Sequence, residues 1–464
     1  MSFIYPRLPD TSASTQLASF VSDLSFSDIP PGIVNKAKAA LLDTIGCAIA
    51  GIDSEATSAT LAVVRALGGT SESSILGYSE KTSSANAAFV NAIMAKCYDF
   101  DGPQIGGHGS PIMIPVSLAL TERNSLSGQD LITSIVAGVE VMGRVAQALG
   151  PEHQVLHGFH RTATSGVFGS VASAGKLLNL KSNQLVNAFG ISGSCVGGTE
   201  AYLQPGGAWT NSLHCGKPAF DGILSAFLAQ QGFTGPTWIF EGIDGILQTY
   251  VPHGTANPSA LCDQLSAKWY FGAKLIGFKR YASCGSMHPC LSAFQRLIHT
   301  HHIQPDDIRE INIWGSFANY KFNCTPRTNK LAPQSLIEGI FSLPFCLGLL
   351  AYRNAITPKQ WADSTILSDA KILSLAQKVH CLVNYDTPEV RVEVFTSDSS
   401  YSITGEFIQS FTFEELEQKF AANIAFSSHL SDVEADDLIR LIKRIDRTDN
   451  LSEFINLVSK RPTM

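Results

Sequence analysis

The strongest constraint in this sequence is a change of local pattern along its length. Helical signals dominate the first 270 residues, strand-like alternation enters near residue 274, and capped helices return after residue 411. PPGIVNKAKAALLDTIGCAIAG opens on proline, whose fixed φ and missing N–H suit a helix entry, and stops at Gly51. SSANAAFVNAIMAKCYDFDG is Ala-rich and ends in an acidic turn. LSGQDLITSIVAGVEVMGRVAQALG pairs Ser127 with Asp130 as a capping box and ends at Gly150. SGVFGSVASAGKLLNL is built from small residues, which predicts close approach of neighbouring helices, and NSLHCGKPAFDGILSAFLAQQGFTGP predicts another helix that stops near Gly232.

The middle of the chain reads differently. KLIGFKRYA is strand-like, REINIWGS alternates with Ile311 and Ile313 on one face, and PEVRVEVFTSDSSYSITGEF is a strand, a polar turn and a second strand. Helices lie between them, in CLSAFQRLIHTHH and in the run around 335–353. Thr412/Glu415 and Ser431/Glu434 then read as capping boxes. The expected fold class is mainly α. A large all-helical domain is built from both chain ends, residues 1–274 and 411–464, and a smaller α+β lid domain, 275–410, is inserted into it. A cleft between two such domains is a common ligand site.

Composition removes several classes of function. With 45% hydrophobic and only 16% charged residues, the chain lacks the low hydrophobicity and high charge of disorder. Its 33 Lys+Arg against 40 Asp+Glu give a net charge of −7, the wrong sign for nucleic-acid binding by bulk electrostatics. So few charges at this length suit a protein that also buries surface against a second copy, and a homodimer is expected. The most apolar stretch noted, Gly339 to Tyr352, lies between Glu338 and Arg353 and contains a proline. It falls short of the roughly 20 residues a membrane span needs, so a buried helix is expected and no membrane partner. MSFIYPRLPD has no basic region leading into an apolar core, SKRPTM matches no address signal, and the ten cysteines form no CxxC pair. Reduced thiols and a cytoplasmic location are expected, with a mitochondrial one left open.

Motifs that would bring a cofactor are missing: no GxGxxG after a strand, no GxxxxGK[ST], no GxSxG elbow and no HExxH. His299, His301 and His302 form an HTHH run, read as a solvated helix C-terminus, which cationic His suits, rather than as metal ligands. No metal and no cofactor are expected. Four stretches place titratable groups beside glycines. YDFDGPQIGGHGSPI carries Asp99, Asp101 and His108 in a loop between helices, which a capping turn would also explain. HGFHRTATSGVFG sets His160 and Arg161 before a small-residue helix, where a helix-capping His is the plain alternative. WTNSLHCGKPAF puts Asn211, His214 and Lys217 at a helix start, where N–H groups favour a bound carboxylate. FKRYASCGSMHPCL ends a strand with Lys279 and Arg280 and continues into Cys284 and His288, which ordinary packing could equally account for. Several histidines and cations without a metal or nucleotide motif fit proton transfer beside a carboxylate. The enediolate-like charge is stabilised by cations and N–H donors while His moves the proton.

At these four stretches, and in KAKAALLDTIGCAIAG and FSLPF, the chain resembles the MmgE/PrpD family over nearly its whole length. That family includes 2-methylcitrate dehydratase, cis-aconitate decarboxylase and an iminodisuccinate epimerase. The resemblance implies a helical domain with an α+β lid, usually a homodimer. It implies catalytic roles for Asp99, His108, His160 and His288, with Lys279 among the carboxylate contacts. Cys284 stands where animal decarboxylases of the family have His, within a Tyr-Ala-x-Cys-Gly-x-x-His pattern, Tyr281 to His288, that resembles the fungal ones. Two departures stand out. The family's Lys three residues before the His or Gln of the LHxG segment is Asn211 here, and its Asp-Asp-Thr-x-His run becomes Asp101-Gly102-Pro103-Gln104. A charged contact is worth about 1.5–3 kcal/mol, so a lost Lys shifts specificity by one or two decades.

The expected function is a cofactor-free lyase on a citrate- or aconitate-like polycarboxylic acid, by dehydration or decarboxylation through a carbanion beside a carboxylate. His108 and His160 are the expected proton carriers and Asp99 orients a His. Lys279, Arg280, Lys217, Arg161, Asn211, His214 and Cys284 are the expected substrate contacts. The altered cations suggest a modified substrate, such as an alkylated citrate with an apolar chain, in a secondary-metabolic setting. The alternatives are an epimerase or isomerase of a related dicarboxylate, and a catalytically dead binding protein of the same fold.

Overall fold

The computed structural model describes residues 11–102, 106–272, 277–385, 389–405 and 411–460. Helix α1, Pro31–Ala50, starts with Pro31 in its first turn and ends at Gly51, as the sequence predicts. A short antiparallel hairpin, β1 Ser73–Ile75 and β2 Glu80–Thr82, follows. The helical part is therefore not purely helical, because Gly77 takes the φ of +73° that this tight turn needs.

Five helices then form the core: α2 Ser84–Lys96, α3 Ser110–Asn124, α4 Gly128–Leu149, α5 Arg161–Leu177 and α6 Thr210–Gln230. Helix α4 opens with the expected capping box: Ser127 Oγ accepts from Asp130 N–H, and Asp130 Oδ2 accepts from Ser127 N–H. It is long and apolar enough to cross a membrane, but 94% of its apolar window is buried in the protein, as in a core helix. Helices α4 and α5 touch through glycine. A Cβ added at Gly138 would lie 2.1 Å from Ser173 Oγ and 2.9 Å from the Gly169 carbonyl. Inside α4 the buried Glu140 accepts the N–H groups of Tyr270 and Phe271, while Arg144 donates to the carbonyls of Asp263 and Lys268. This pair fastens the chain to the core just before it leaves for the second region.

That region begins with helix α7, His288–Thr300. Strand β3, Glu310–Gly315, comes next, then helix α8, Leu343–Arg353, and strands β4 Val379–Val383, β5 Val390–Phe395 and β6 Ser400–Gly405. The sheet order is β4-β3-β5-β6. β4 runs parallel to β3, and the other pairs are antiparallel. The alternation read in the sequence decides the register: Ile311 and Ile313 lie opposite Val394 and Val392, all buried on the face toward α7. Helices α9 Phe413–Ser427 and α10 Asp432–Lys443 follow, each with its expected capping box, and helix α11, Ser452–Ser459, comes after them. Two apolar cores result. One draws on residues 13–271 and 416–458. The other draws on 281–394, together with Cys47, Phe100 and Tyr202. The molecule is thus mainly α with a small α+β part.

Three expectations need correction. The FKRYA end of KLIGFKRYA is not a strand. Its Ala282 donates to the Ile356 carbonyl and accepts from the Trp361 indole rather than joining a ladder, while residues 273–276 lie outside the described residues. The run around 335–353 is two helices, because Pro344 starts α8 and Ser342 caps it at Phe345 N–H. β4 was not read from the sequence. The boundaries placed at 274/275 and 410/411, the Pro103-Gln104 step and the ends of the chain lie outside the described residues.

Candidate active site

The site grows from the last turn of α2. Lys96 is fully buried there, and the following turn carries Asp99 at φ +49°, a left-handed conformation that Asp tolerates. This fold-back brings both carboxylates around the Lys96 ammonium: it pairs with Asp99 Oδ1 and lies 3.3 Å from Asp101 Oδ1 and 3.0 Å from His108 Nδ1. From the strap 277–284, Lys279 Nζ donates to the Asp99 carbonyl and to Asp99 Oδ2, both at 2.6 Å. Burial works to raise the Asp101 carboxyl, but His108 and Lys96 outweigh it and hold that group well below the usual carboxylate range. Asp99 is treated likewise: burial opposes, and Lys279 and Lys96 prevail. Lys96 stays charged, because Asp101 and Asp99 overcome the large penalty of its burial.

This arrangement decides a tautomer. His108 Nδ1 lies 2.5 Å from Asp101 Oδ2. A carboxylate only accepts and makes the shorter contact, so Nδ1 carries the proton and Nε2 keeps the lone pair; the Lys96 ammonium, 3.0 Å from the same nitrogen, makes no hydrogen bond to it. Asp99, Asp101 and His108 also bring their ligand atoms within 4.8 Å of one another, the spacing of a metal cluster. The Lys96 ammonium already touches all three, so this chain supplies a cation of its own at that point.

A second line of groups leaves His108 toward solvent. The His108 backbone N–H donates to Thr162 Oγ1 at 3.1 Å, Thr162 Oγ1 is 3.2 Å from His160 Nε2, and His160 Nδ1 is 2.9 Å from His214 Nδ1. Only one of the two facing Nδ1 atoms can hold the proton, so the pair shares it and both rings stay neutral. Burial drives His160 well below its usual value, and His214, His108 and Lys96 add to the shift; burial and then Lys96 bring His214 to about 4. Two glycines make room. At Gly107, φ +122°, a Cβ would sit 2.5 Å from Thr162 Oγ1. At Gly198, φ +105°, it would sit 2.5 Å from the Ala163 Cβ and 3.0 Å from His214 Nε2. The Gly-rich segment around Gly198, which has no nucleotide spacing, therefore serves the histidine pair. A cleft of about 510 Å³ opens beside His214 and Tyr202. The Tyr202 ring lies 5.4 Å from that of His160 and 5.6 Å from that of His214.

The remaining sequence candidates divide. Asn211 is buried near the start of α6, and its Nδ2 has no hydrogen-bond partner among the described residues. Lys217 lines the cleft mouth, exposed and paired with Asp221. Arg161 donates to Gln154 Oε1 at 2.9 Å. Cys284 Sγ lies 3.2 Å from Ser286 Oγ, and burial raises its thiol. His288 starts α7 with its ring edge-on to Tyr281; burial and then Lys279 lower it to about 3. No direct contact joins it to His108 or His160 among the described residues. Arg280 points away from the cluster, 3.5 Å from Glu415 at a second cleft of about 670 Å³. His299, His301 and His302 are exposed at the end of α7, far along the chain from the cluster. Lys96, Thr162 and Tyr202 were not read as site residues. A lysine in the last turn of a helix reads as a solvated cap, and its only signal was the two aspartates at i+3 and i+5.

The lowered histidines carry a pH signature. In the unfolded chain they take protons near pH 6.5, whereas His214 and His288 in the folded state refuse them down to about 4 and about 3. The unfolded state thus binds more protons across that window, so stability is complete above about pH 6.5 and falls as pH drops. Melting temperatures measured from pH 7 downward should fall steadily once pH passes below about 6. A flat profile would contradict the burial of these neutral rings.

Comparison with known proteins bears on this geometry. A family profile described as the MmgE/PrpD N-terminal domain matches residues 15–259, and one described as the MmgE/PrpD C-terminal domain matches residues 281–446. A Homo sapiens protein named cis-aconitate decarboxylase is 24% identical over 473 residues, which cover 96% of this chain and 94% of that protein. An Aspergillus terreus protein of the same name is 24% identical over 297 residues, 61% of this chain and 60% of its own length. A cis-aconitate decarboxylase-like protein, oryM, of Aspergillus oryzae is 24% identical over 303 residues, 62% of each chain.

Proposed function

This chain belongs to the MmgE/PrpD family, and on that premise we propose that it is a lyase acting on an aconitate- or citrate-like polycarboxylic acid, with decarboxylation as its reaction. The observation that carries this reading is the convergence of His108, His160 and His214, all held toward neutrality by burial, on two buried ammonium–carboxylate pairs. In the proposed step the bond between a carbon and its carboxylate breaks, carbon dioxide leaves, and the electron pair stays on the carbon, delocalised toward a neighbouring carboxylate. A proton must then reach that carbon. His108 is suited to bring it: with Asp101 behind Nδ1, a proton gained at Nε2 makes an imidazolium facing a carboxylate. The His160–His214 pair, with no carboxylate of its own, is the neutral partner that relays protons from the cleft. Lys96 and Lys279 keep both aspartates ionised, and Asn211 contacts substrate as an amide rather than as a cation. No step in this chemistry calls for a metal or organic cofactor. A homodimer is part of the proposal and rests on the family.

The test is carbon dioxide release from cis-aconitate and its substituted analogues by chelator-treated protein. Release that survives chelation is expected. Loss of water from the citrates, with no carbon dioxide from any aconitate, would move the reading to a dehydratase.

A further inference from the structure

We infer that the cleft beside His214 and Tyr202 takes an apolar arm of the substrate, so that the acid this chain acts on carries an alkyl substituent of several carbons. The inference rests on the reading of the chain as a lyase of polycarboxylic acids and names which acid it takes.

A tricarboxylate brings three negative charges, and a site for it needs cations that are not already neutralised. Lys96 and Lys279 face Asp99 and Asp101, so that cluster sums to zero. Arg161 is turned to Gln154 and feels the charge of Glu200. Arg280 lies at the other cleft with Glu415. Among the described residues that line the cleft beside His214, Lys217 alone is charged, and Asp221 pairs with it. Position 211 holds a buried amide. The walls are correspondingly apolar: Ala163, Ala201, Ala208, Leu213 and Pro218 line a space of about 510 Å³. A third carboxylate placed there would lose its hydration without a free cation to replace it, whereas methylenes would be favoured against those walls.

The experiment uses wild-type protein and two ligand series. One is cis-aconitate bearing hydrogen, methyl, butyl or hexyl. The other is the saturated tricarballylates with the same arms, which report binding by calorimetry without turnover. Each buried methylene is expected to raise kcat/KM and lower Kd about three- to fourfold. Ala201→Phe, which fills the cleft from its exposed wall, is expected to cut the hexyl-to-unsubstituted ratio at least tenfold. Turnover that is best with unsubstituted cis-aconitate and falls as the arm grows would overturn the inference and leave the lyase reading standing. Tightening of the tricarballylates with arm length, with no turnover of any aconitate, would support the cleft assignment and overturn the decarboxylase reading instead. Kd values independent of arm length would overturn the assignment even in an inactive protein.

Discussion

Lys96→Met is expected to destabilise the protein by about 3–5 kcal/mol and to abolish turnover, the largest stability effect of any single change at the site. The Lys96 side chain is 0% exposed, and its ammonium meets two carboxylates and an imidazole. Methionine fills the same volume but leaves Asp99 and Asp101 buried about one fewer positive charge. The cost is the desolvation of charges that have lost their partner, not the loss of a surface ion pair, which is worth well under 1 kcal/mol. The remaining groups must rebalance. Burial and Lys96 lower His108, while Asp101 raises it, so removing Lys96 tips His108 toward its charged form. In urea the unfolding midpoint should fall sharply. The His108 ring resonances, followed against pH by NMR, should titrate higher than in the wild type. Unchanged stability would mean that the two ion pairs do not exist as described.

His160→Gln is expected to lower kcat by about two to four orders of magnitude while leaving the fold in place. Glutamine keeps a polar group between Thr162 Oγ1 and His214 Nδ1, so the cavity stays satisfied and no charge is stranded. What is lost is the ring that shares a proton with His214. The readout is kcat alongside far-UV circular dichroism and a thermal melt. An active His160→Gln enzyme would remove the histidine pair from the chemistry and leave His108 and Asp101 to act alone.

Helix ends were legible because their signals are local. Ser127 and Asp130 cap α4 from three residues apart, and nothing distant needs to be known. The β3–β5 register was legible for the same reason, since alternation fixes which face is buried. The site was legible only in part. His108, His160 and Asp99 stood out because glycine surrounds them, and Gly107 and Gly198 are where backbone must pass close to Thr162 and His214. The contact between His160 and His214 spans 54 residues and depends on how α5 packs on α6, which no spacing encodes. Lys279 and Arg280 are adjacent and read as equals. The folded chain sends one to Asp99 and the other to Glu415. Lys96 was hidden by context: the Ala-rich helix that holds it gives no hint that its last turn is buried beneath Asp99 and Asp101.

The most direct test of the account is proton NMR in D₂O on wild-type protein mixed with cis-aconitate, with its alkyl-substituted analogues and with citrate. The account predicts loss of carbon dioxide from an aconitate, with one deuterium delivered to the carbon that is left carrying the electron pair. It would be contradicted by spectra that stay unchanged for every acid in the set, or by deuterium entering at an α-carbon with no net conversion.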